Sequence, residues 1–226
     1  MLQLKNVDAA IGIMPILRNL DFSIDAGETV ALIGRNGAGK TTLLRSIMGF
    51  TKVTGEILFH GDRIEGMAPS KRPGLGIGYA PEDRRLFSAF TVEENLLLPA
   101  QTAKLGADET RRRLERAYSI LPELKDMAQR PAGNVSGGQG KMVALARALM
   151  LGTRLVMLDE PFQGLAPALA HRYAEALRAL RDADRSVTLI VTESNPALLR
   201  GFADRTLVIE RGEVTEGSLE PTTENA

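Results

Sequence analysis

Lys40 and Thr41 end the run Gly34-Arg35-Asn36-Gly37-Ala38-Gly39-Lys40-Thr41, whose glycine spacing matches a phosphate-binding loop. The chemistry explains the composition. Successive backbone N–H groups in a glycine-rich turn, backed by the positive end of a helix, form a cradle for phosphate oxygens. The lysine reaches the β- and γ-phosphates of a nucleoside triphosphate, and the threonine hydroxyl holds Mg²⁺. Farther along, Leu155-Val156-Met157-Leu158-Asp159-Glu160 is apolar until two carboxylates end it. In a nucleotide site Asp159 would hold Mg²⁺ through water and Glu160 would polarise an attacking water. Taken alone, the pair also reads as an acidic sheet edge beside a Lys or Arg. Lys40 and Thr41 upstream favour the catalytic reading.

A third segment, Ser136-Gly137-Gly138-Gln139, lies between these two. Ser followed three residues later by Gln is a capping box, and Val143, Leu145, Ala146 and Leu149 continue it as a core helix. Two glycines in the first turn, however, each lose roughly 1 kcal/mol of helix propensity against Ala. Bare backbone at a helix N-terminus is what lets a phosphate come close. The segment therefore reads as a second anion-binding end.

The elements around these residues alternate in type. Strands are expected at 2–7, 20–24 and Thr29–Ile33, the last apolar on both faces and running straight into the glycine loop. A helix from Thr41 through Met48 stops at Gly49, and a strand at 55–59 turns at His60-Gly61-Asp62. Thr91-Val92-Glu93-Glu94 is a capping box for one helix. Asp108 is expected to cap a second, with Leu114, Ala117, Tyr118 and Leu121 on one face and Arg111-Arg112-Arg113 as a solvated face. Strands return at Leu155–Asp159, 187–192 and 206–210, with a helix from Pro167 between the first two and a turn at Arg211-Gly212 into 213–215. The pattern is an α/β core interrupted by a helical block at 91–134.

Composition narrows the classes. With 226 residues, 44% hydrophobic and 25% charged, the chain can bury one sizeable core. Lys+Arg 28 balance Asp+Glu 28, so nucleic acid is not an expected partner. Without cysteine there is no disulfide framework, thiolate chemistry or cysteine metal site. No apolar run approaches the ~20 residues that span a bilayer, and Met1-Leu2-Gln3-Leu4-Lys5 lacks a signal-peptide pattern. Any membrane link is expected to run through a partner.

The order phosphate loop, Ser-Gly-Gly-Gln, Leu-Asp-Glu-Pro resembles the ATP-binding cassette (ABC) ATPases over nearly the whole chain. The resemblance implies an α/β P-loop NTPase (RecA-like) core with an antiparallel β-subdomain and an inserted α-helical subdomain. It implies one domain over 2–220 (core 1–90 and 135–216, helical part 91–134) and a flexible tail at 217–226. ATP would lie on residues 34–42, that is Gly34, Arg35, Asn36, Gly37, Ala38, Gly39, Lys40, Thr41 and Thr42, with Mg²⁺ near Thr41 and Asp159. Two cassettes would pack head to tail, so that Ser136, Gly137, Gly138 and Gln139 of one serve the ATP of the other. Tyr79-Ala80-Pro81-Glu82-Asp83-Arg84-Arg85-Leu86-Phe87, Thr91-Val92-Glu93-Glu94-Asn95-Leu96 and Gly164-Leu165-Ala166-Pro167 are similar to the ATPases of branched-chain amino-acid importers. Urea and short-chain amide importers share much of this. Implied partners are a second like or unlike cassette, transmembrane permease subunits docking on 82–95 and the helical block and, indirectly, a periplasmic solute-binding protein. The place would be the cytoplasmic face of the inner membrane.

The chain departs from the family in four places. Glu82 stands where Gln usually meets Mg²⁺ and water, and reads either as a hard-metal ligand or as a loop acid beside Arg84 and Arg85. Ile11 takes the position of the aromatic residue that stacks on adenine. Since such stacking is worth ~1–3 kcal/mol, weaker or less base-selective nucleotide binding is expected. Ser194 replaces the γ-phosphate-sensing His, and the two histidines, His60 and His171, read as ordinary surface or packing residues. Phe162 replaces a small polar residue where two cassettes meet. A non-transport ABC protein in DNA repair or translation is the alternative. It usually carries a coiled coil or two cassettes, and neither is in this chain. A phosphate-loop kinase or GTPase leaves Ser-Gly-Gly-Gln followed by Asp159-Glu160 unexplained.

Overall fold

The structure, a computed structural model, describes residues 1–219. Two sheets meet in it. Strands β1 (Leu2–Ile11), β2 (Met14–Ile24), β4 (Lys52–Phe59) and the short β5 (Asp62–Arg63) form an antiparallel sheet in the order β2-β1-β4-β5. The first two strands are nearly twice as long as their apolar alternation indicates. Register shifts between Leu4 and Val7 and between Val7 and Ala9 break the period of two, so only the ends of the strands look like strands.

The second sheet has the order β10-β9-β3-β8-β7-β6. Here β3 is Thr29–Ile33, β6 Ile77–Ala80, β7 Leu155–Asp159, β8 Thr188–Glu193, β9 Arg205–Glu210 and β10 Glu213–Gly217. All pairs are parallel except β9 with β10. β6, four residues with a glycine inside, shows no period in the sequence and is found only through its pairing with β7. The expected tail begins at Gly217, the last residue of β10; positions 220–226 of that tail lie outside the described residues.

Burial explains why β7 is a continuous apolar run. Val156 and Leu158 point into a core beneath the helices, while Leu155 and Met157 point into a core shared with the antiparallel sheet. Helix α1 (Lys40–Ile47) belongs to that second core through Leu43, Leu44 and Ile47. Over the other face lie α2 (Val92–Thr102), α3 (Ala107–Ile120), the single turn α4 (Glu123–Asp126), α5 (Gly137–Leu149) and α6 (Pro167–Ala183). Both capping boxes form, Thr91 with Glu94 and Ser136 with Gln139. Asp108 does not cap α3. Gly106 takes the extended N-cap position, and Asp108 lies inside the first turn, where its charge favours the helix dipole. Among the described residues no helix is long and apolar enough to cross a membrane.

Parallel strands carry their carboxyl ends to one edge, the usual place for a ligand in such sheets. Here that edge collects the glycine loop after β3, Pro81-Glu82 after β6, Asp159-Glu160 at β7 and Glu193-Ser194 at β8. One buried cation anchors the far end of the helix after the loop. Arg72, 1% exposed, donates to the carbonyls of Ser46 and Ile47 at the end of α1 and to those of Glu65 and Met67. It gives the Ile47 carbonyl a donor, adds a second to the Ser46 carbonyl beside the Gly49 N–H (3.0 Å), and puts positive charge at the negative end of the dipole. Since a buried group left unsatisfied costs ~1–3 kcal/mol, Arg72→Met is expected to lower unfolding stability by at least ~3 kcal/mol. Urea unfolding checks this, and a loss under ~1 kcal/mol would show that α1 ends stably without the guanidinium.

Candidate functional site

The loop between β3 and α1 has the shape its glycines require. Gly39, at φ +116, is the N-cap of α1, and no side chain caps the first helical N–H groups. Lys40 follows at once and folds back. Its ammonium, almost fully buried, donates to the carbonyl of Gly34 (2.6 Å) and to Ser194 Oγ (3.0 Å), and lies 2.8 Å from Glu160 Oε1. Ser194 Oγ is also 2.8 Å from Glu160 Oε1 and 2.7 Å from Asn36 Oδ1. One hydroxyl proton serves only one of these acceptors at a time.

Asp159 sits behind this group. Its Oδ1 accepts from Thr41 Oγ1 (3.1 Å) and Thr192 Oγ1 (2.9 Å), and its Oδ2 accepts from Tyr79 Oη (3.1 Å). Burial pushes the carboxyl above the usual range, and the three donors pull it back. Glu160 departs from the strand with φ +48, its N–H directed at Thr192. Left-handed backbone at a residue other than glycine persists only when its surroundings over-determine it.

Two hollows flank these residues. One of about 310 Å³ is bordered by Gly37, Lys40, Thr41, Glu160, Ile16 and Gln163, and another of about 450 Å³ by Thr41, Asp159, Tyr79, Arg45 and Phe50. Glu82 borders both. Arg85 pairs with Asp83 and Arg84 donates to the Gly137 carbonyl, so neither guanidinium claims Glu82. Among the described residues no cluster of three or more acidic or histidine side chains could hold a metal unaided. Hard oxygens from Thr41 and Asp159, with Glu82 beside them, nonetheless fit Mg²⁺, which takes one or two protein oxygens and completes its shell with phosphates and water.

The structure therefore brings Lys40, Thr41, Asp159, Glu160 and Ser194 together around the loop. It does not bring Ser136, Gly137, Gly138 or Gln139 to them: Ser136 and Gly137 are exposed at the start of α5, away from both hollows. Gly138 has a reason inside its own chain. A Cβ there would lie 1.9 Å from Leu169 Cδ2 on α6, so packing as well as anion approach calls for glycine. At Gly137 the nearest atom would be 3.5 Å away, and that backbone is bare. Ile11, half exposed, borders a separate hollow with Val53 and Phe50. Ile16 is the apolar side chain on the hollow beside the glycine loop, and it passed unnoticed in the sequence, as did Arg45 and Gln163, while Tyr79 was named only within the run that carries the resemblance. Gln163 is three residues beyond Glu160, the one signal that could have found it. Phe162 is buried edge-on against Tyr173 (5.6 Å) rather than presented outward. His60 and His171 are both exposed and border neither hollow.

Glu193 was also missed. It is 4% exposed, accepts from the Phe162 N–H (2.8 Å), and burial raises its carboxyl to about 7. The folded state thus keeps a proton that the unfolded chain loses near 4.5. The resulting stability is complete below pH 4.5 and is lost as pH rises through about 7. Glu193→Gln is expected to shrink the fall in urea-unfolding stability between pH 5 and pH 8 by on the order of 3 kcal/mol. An unchanged pH profile would mean that Glu193 is ionised throughout.

Comparison with known proteins agrees with this geometry. The ABC transporter family model matches residues 17–163. The high-affinity branched-chain amino acid transport ATP-binding protein BraG of Pseudomonas aeruginosa is 35% identical, covering 95% of this chain and 91% of its own length. The thiamine import ATP-binding protein ThiQ of Haemophilus influenzae is also 35% identical, covering 96% and 98%. Among solved structures, the dimeric bacterial ABC transporter cassette MJ0796 superposes with a TM-score of 0.84 at 27% identity, covering 98% of this chain and all of its own. A phosphate loop facing a buried Lys40–Glu160 pair, on a fold shared with those cassettes, places the chain in the ABC transporter family as one of its ATP-hydrolysing subunits.

Proposed function

We propose that this chain powers an importer of branched-chain amino acids or related small polar solutes. It would work from the cytoplasmic face of the membrane, paired with a like or unlike cassette and docked on permease subunits that receive solute from a periplasmic binding protein. The observation that carries the catalytic part is the ammonium of Lys40 held between Glu160 and Ser194. An entering γ-phosphate competes for that ammonium. As Lys40 turns to the phosphate, Glu160 loses its cation and becomes free to accept a proton from the attacking water. Mg²⁺, held beside Thr41 and Asp159 and bordered by Glu82, would neutralise charge on the phosphate oxygens. Ser194 follows the phosphate with one hydrogen bond and no charge. The exposed start of α5 supports its service to the partner's nucleotide, closing a site that residues 34–42 hold from the other side. With Ile11 half exposed and Ile16 on the hollow, the base meets aliphatic carbon, which supports modest preference for adenine.

The substrate class rests on relatives named for branched-chain amino acid transport, BraG and the LivF of Archaeoglobus fulgidus, the latter 34% identical. Relatives of similar identity are named for thiamine and methionine import, so the class comes from likeness of the cassette. Phe87 and Phe90, stacked at 5.5 Å and both exposed, give the loop before α2 an apolar face suited to a permease.

Turnover tests the catalytic reading. Glu160→Gln should lower kcat for ATP on the order of 10²-fold, the scale of a lost general base. Ser136→Arg should lower it at least about tenfold by obstructing the opposite site. Full activity in both variants would sink the mechanism. The docking face is checked separately: Phe87→Asp with Phe90→Asp should abolish co-purification with the permease while leaving ADP affinity of the isolated subunit within about twofold.

A further inference from the structure

Behind Glu160 stands a cation that the mechanism above does not use. Lys141, on α5, is partly buried and directs its Nζ at the main-chain carbonyl of Glu160 (2.5 Å). Burial holds its pKa below the ordinary lysine value, and the carboxylates of Glu193, Glu82 and Glu160 act against that shift. Glu160 is gripped on both sides of its left-handed backbone: its N–H faces Thr192 Oγ1 (3.0 Å) and the Thr192 carbonyl (3.2 Å), and its carbonyl accepts from Lys141. The Phe162 N–H on Glu193 then fixes the chain two residues on. The Gln163 N–H also reaches the Glu160 carbonyl, at 3.3 Å, a longer and uncharged contact. Without Lys141 only this weaker one opposes relaxation of the residue toward an ordinary conformation, which would swing the carboxylate away from Lys40.

We infer that Lys141 is a positioning residue for hydrolysis: by holding the Glu160 carbonyl it aims the Glu160 carboxylate, and it ties that aim to the placement of α5. The second half follows from spacing. Lys141 lies two residues past Gln139, one helical turn behind the exposed Ser136-Gly137 end. A shift of α5 that accompanies engagement of its N-terminus therefore reaches Glu160 of the same chain through one side chain. The inference rests on the hydrolytic reading of Glu160.

The test uses the full chain and ATP with Mg²⁺. Wild type against Glu160→Gln first establishes that reading; if those two turn over alike, it is the hydrolytic role of Glu160 that fails. Given that control, Lys141→Met should lower kcat at least tenfold with KM within twofold, and Lys141→Arg, which keeps a donor, should recover most of it. Neutralising Glu193 is the competing role for Lys141, and Glu193→Gln removes the need for it. The Lys141→Met, Glu193→Gln double variant should stay as slow as Lys141→Met. A kcat within twofold of wild type in Lys141→Met, or recovered in the double variant, would overturn the assignment. If Lys141→Met does not fold, Lys141→Gln replaces it, with an amide donor on a shorter arm. An intermediate kcat at unchanged KM then supports positioning, and wild-type kcat overturns it.

Discussion

The buried contact between Lys40 and Glu160 is the interaction on which the site depends. Two opposite charges 2.8 Å apart, both nearly inaccessible, lose hydration that their mutual attraction does not automatically restore. The cluster compensates by supplying polar partners: the Gly34 carbonyl and Ser194 for the ammonium, Ser194 for the carboxylate. Such an arrangement contributes little net stability, yet it is sensitive to a newcomer. A phosphate offers Lys40 more negative charge than one carboxylate does. Exchanging one partner for the other leaves the carboxylate uncompensated. On the proposed hydrolytic reading, the resting pair would store the base in an inactive form.

The sheet makes that contact unavoidable. β3 pairs with β8 in parallel register, Ile33 opposite Glu193, and β8 pairs with β7, Thr192 opposite Asp159. Three neighbouring strands therefore end at one level, and the loop, Ser194 and Glu160 emerge side by side. Thr192 serves two neighbours, donating to Asp159 and accepting from the Glu160 N–H. Its β-branched, half-polar side chain suits a strand interior that must still hydrogen-bond sideways. Replacing the register by one residue would turn Thr192 away and leave Asp159 a donor short.

What the sequence shows and hides follows from the range of each interaction. The phosphate loop, Asp159-Glu160 and both capping boxes are local, so their residues lie next to one another in the chain and could be named at once. Ser194 was placed at the site by resemblance alone, and its contacts with Asn36, Lys40 and Glu160 span 34 residues or more. Tyr79, Ile16 and Arg45 reach the site from elements whose own patterns are weak or ordinary. β6 is too short to show alternation, and the bulges in β1 hide its last four residues. Nothing local in the sequence marks Glu193 beyond its place next to Ser194. Only the tertiary structure shows that it is buried and that its partner is the N–H of Phe162. Asp108 failed as a cap because the helix begins two residues earlier, with Gly106 in the extended N-cap position and Asp108 already inside the first turn.

The start of α5 shows how one segment answers two demands. Its capping box satisfies the first N–H groups within the chain, as any stable helix requires, and Gly138 is small because Leu165 and Leu169 press against it. Neither fact needs a nucleotide. Gly137 does not share that explanation: it is exposed, a Cβ there would meet only the Arg84 guanidinium at an ordinary 3.5 Å, and its carbonyl is held by that same Arg84. Arg147, farther along the same helix, donates to the carbonyls of Arg84 and Arg85, two consecutive residues with left-handed backbone. Helix α5 is thereby bound to the loop that carries Glu82 as well as to Glu160 through Lys141. Its outward end lies on bare backbone while its inward side chains hold both flanks of the chain's own site. A helix fixed for stability alone has no use for that division between its two ends, whereas the proposed role of joining two nucleotide sites accounts for it.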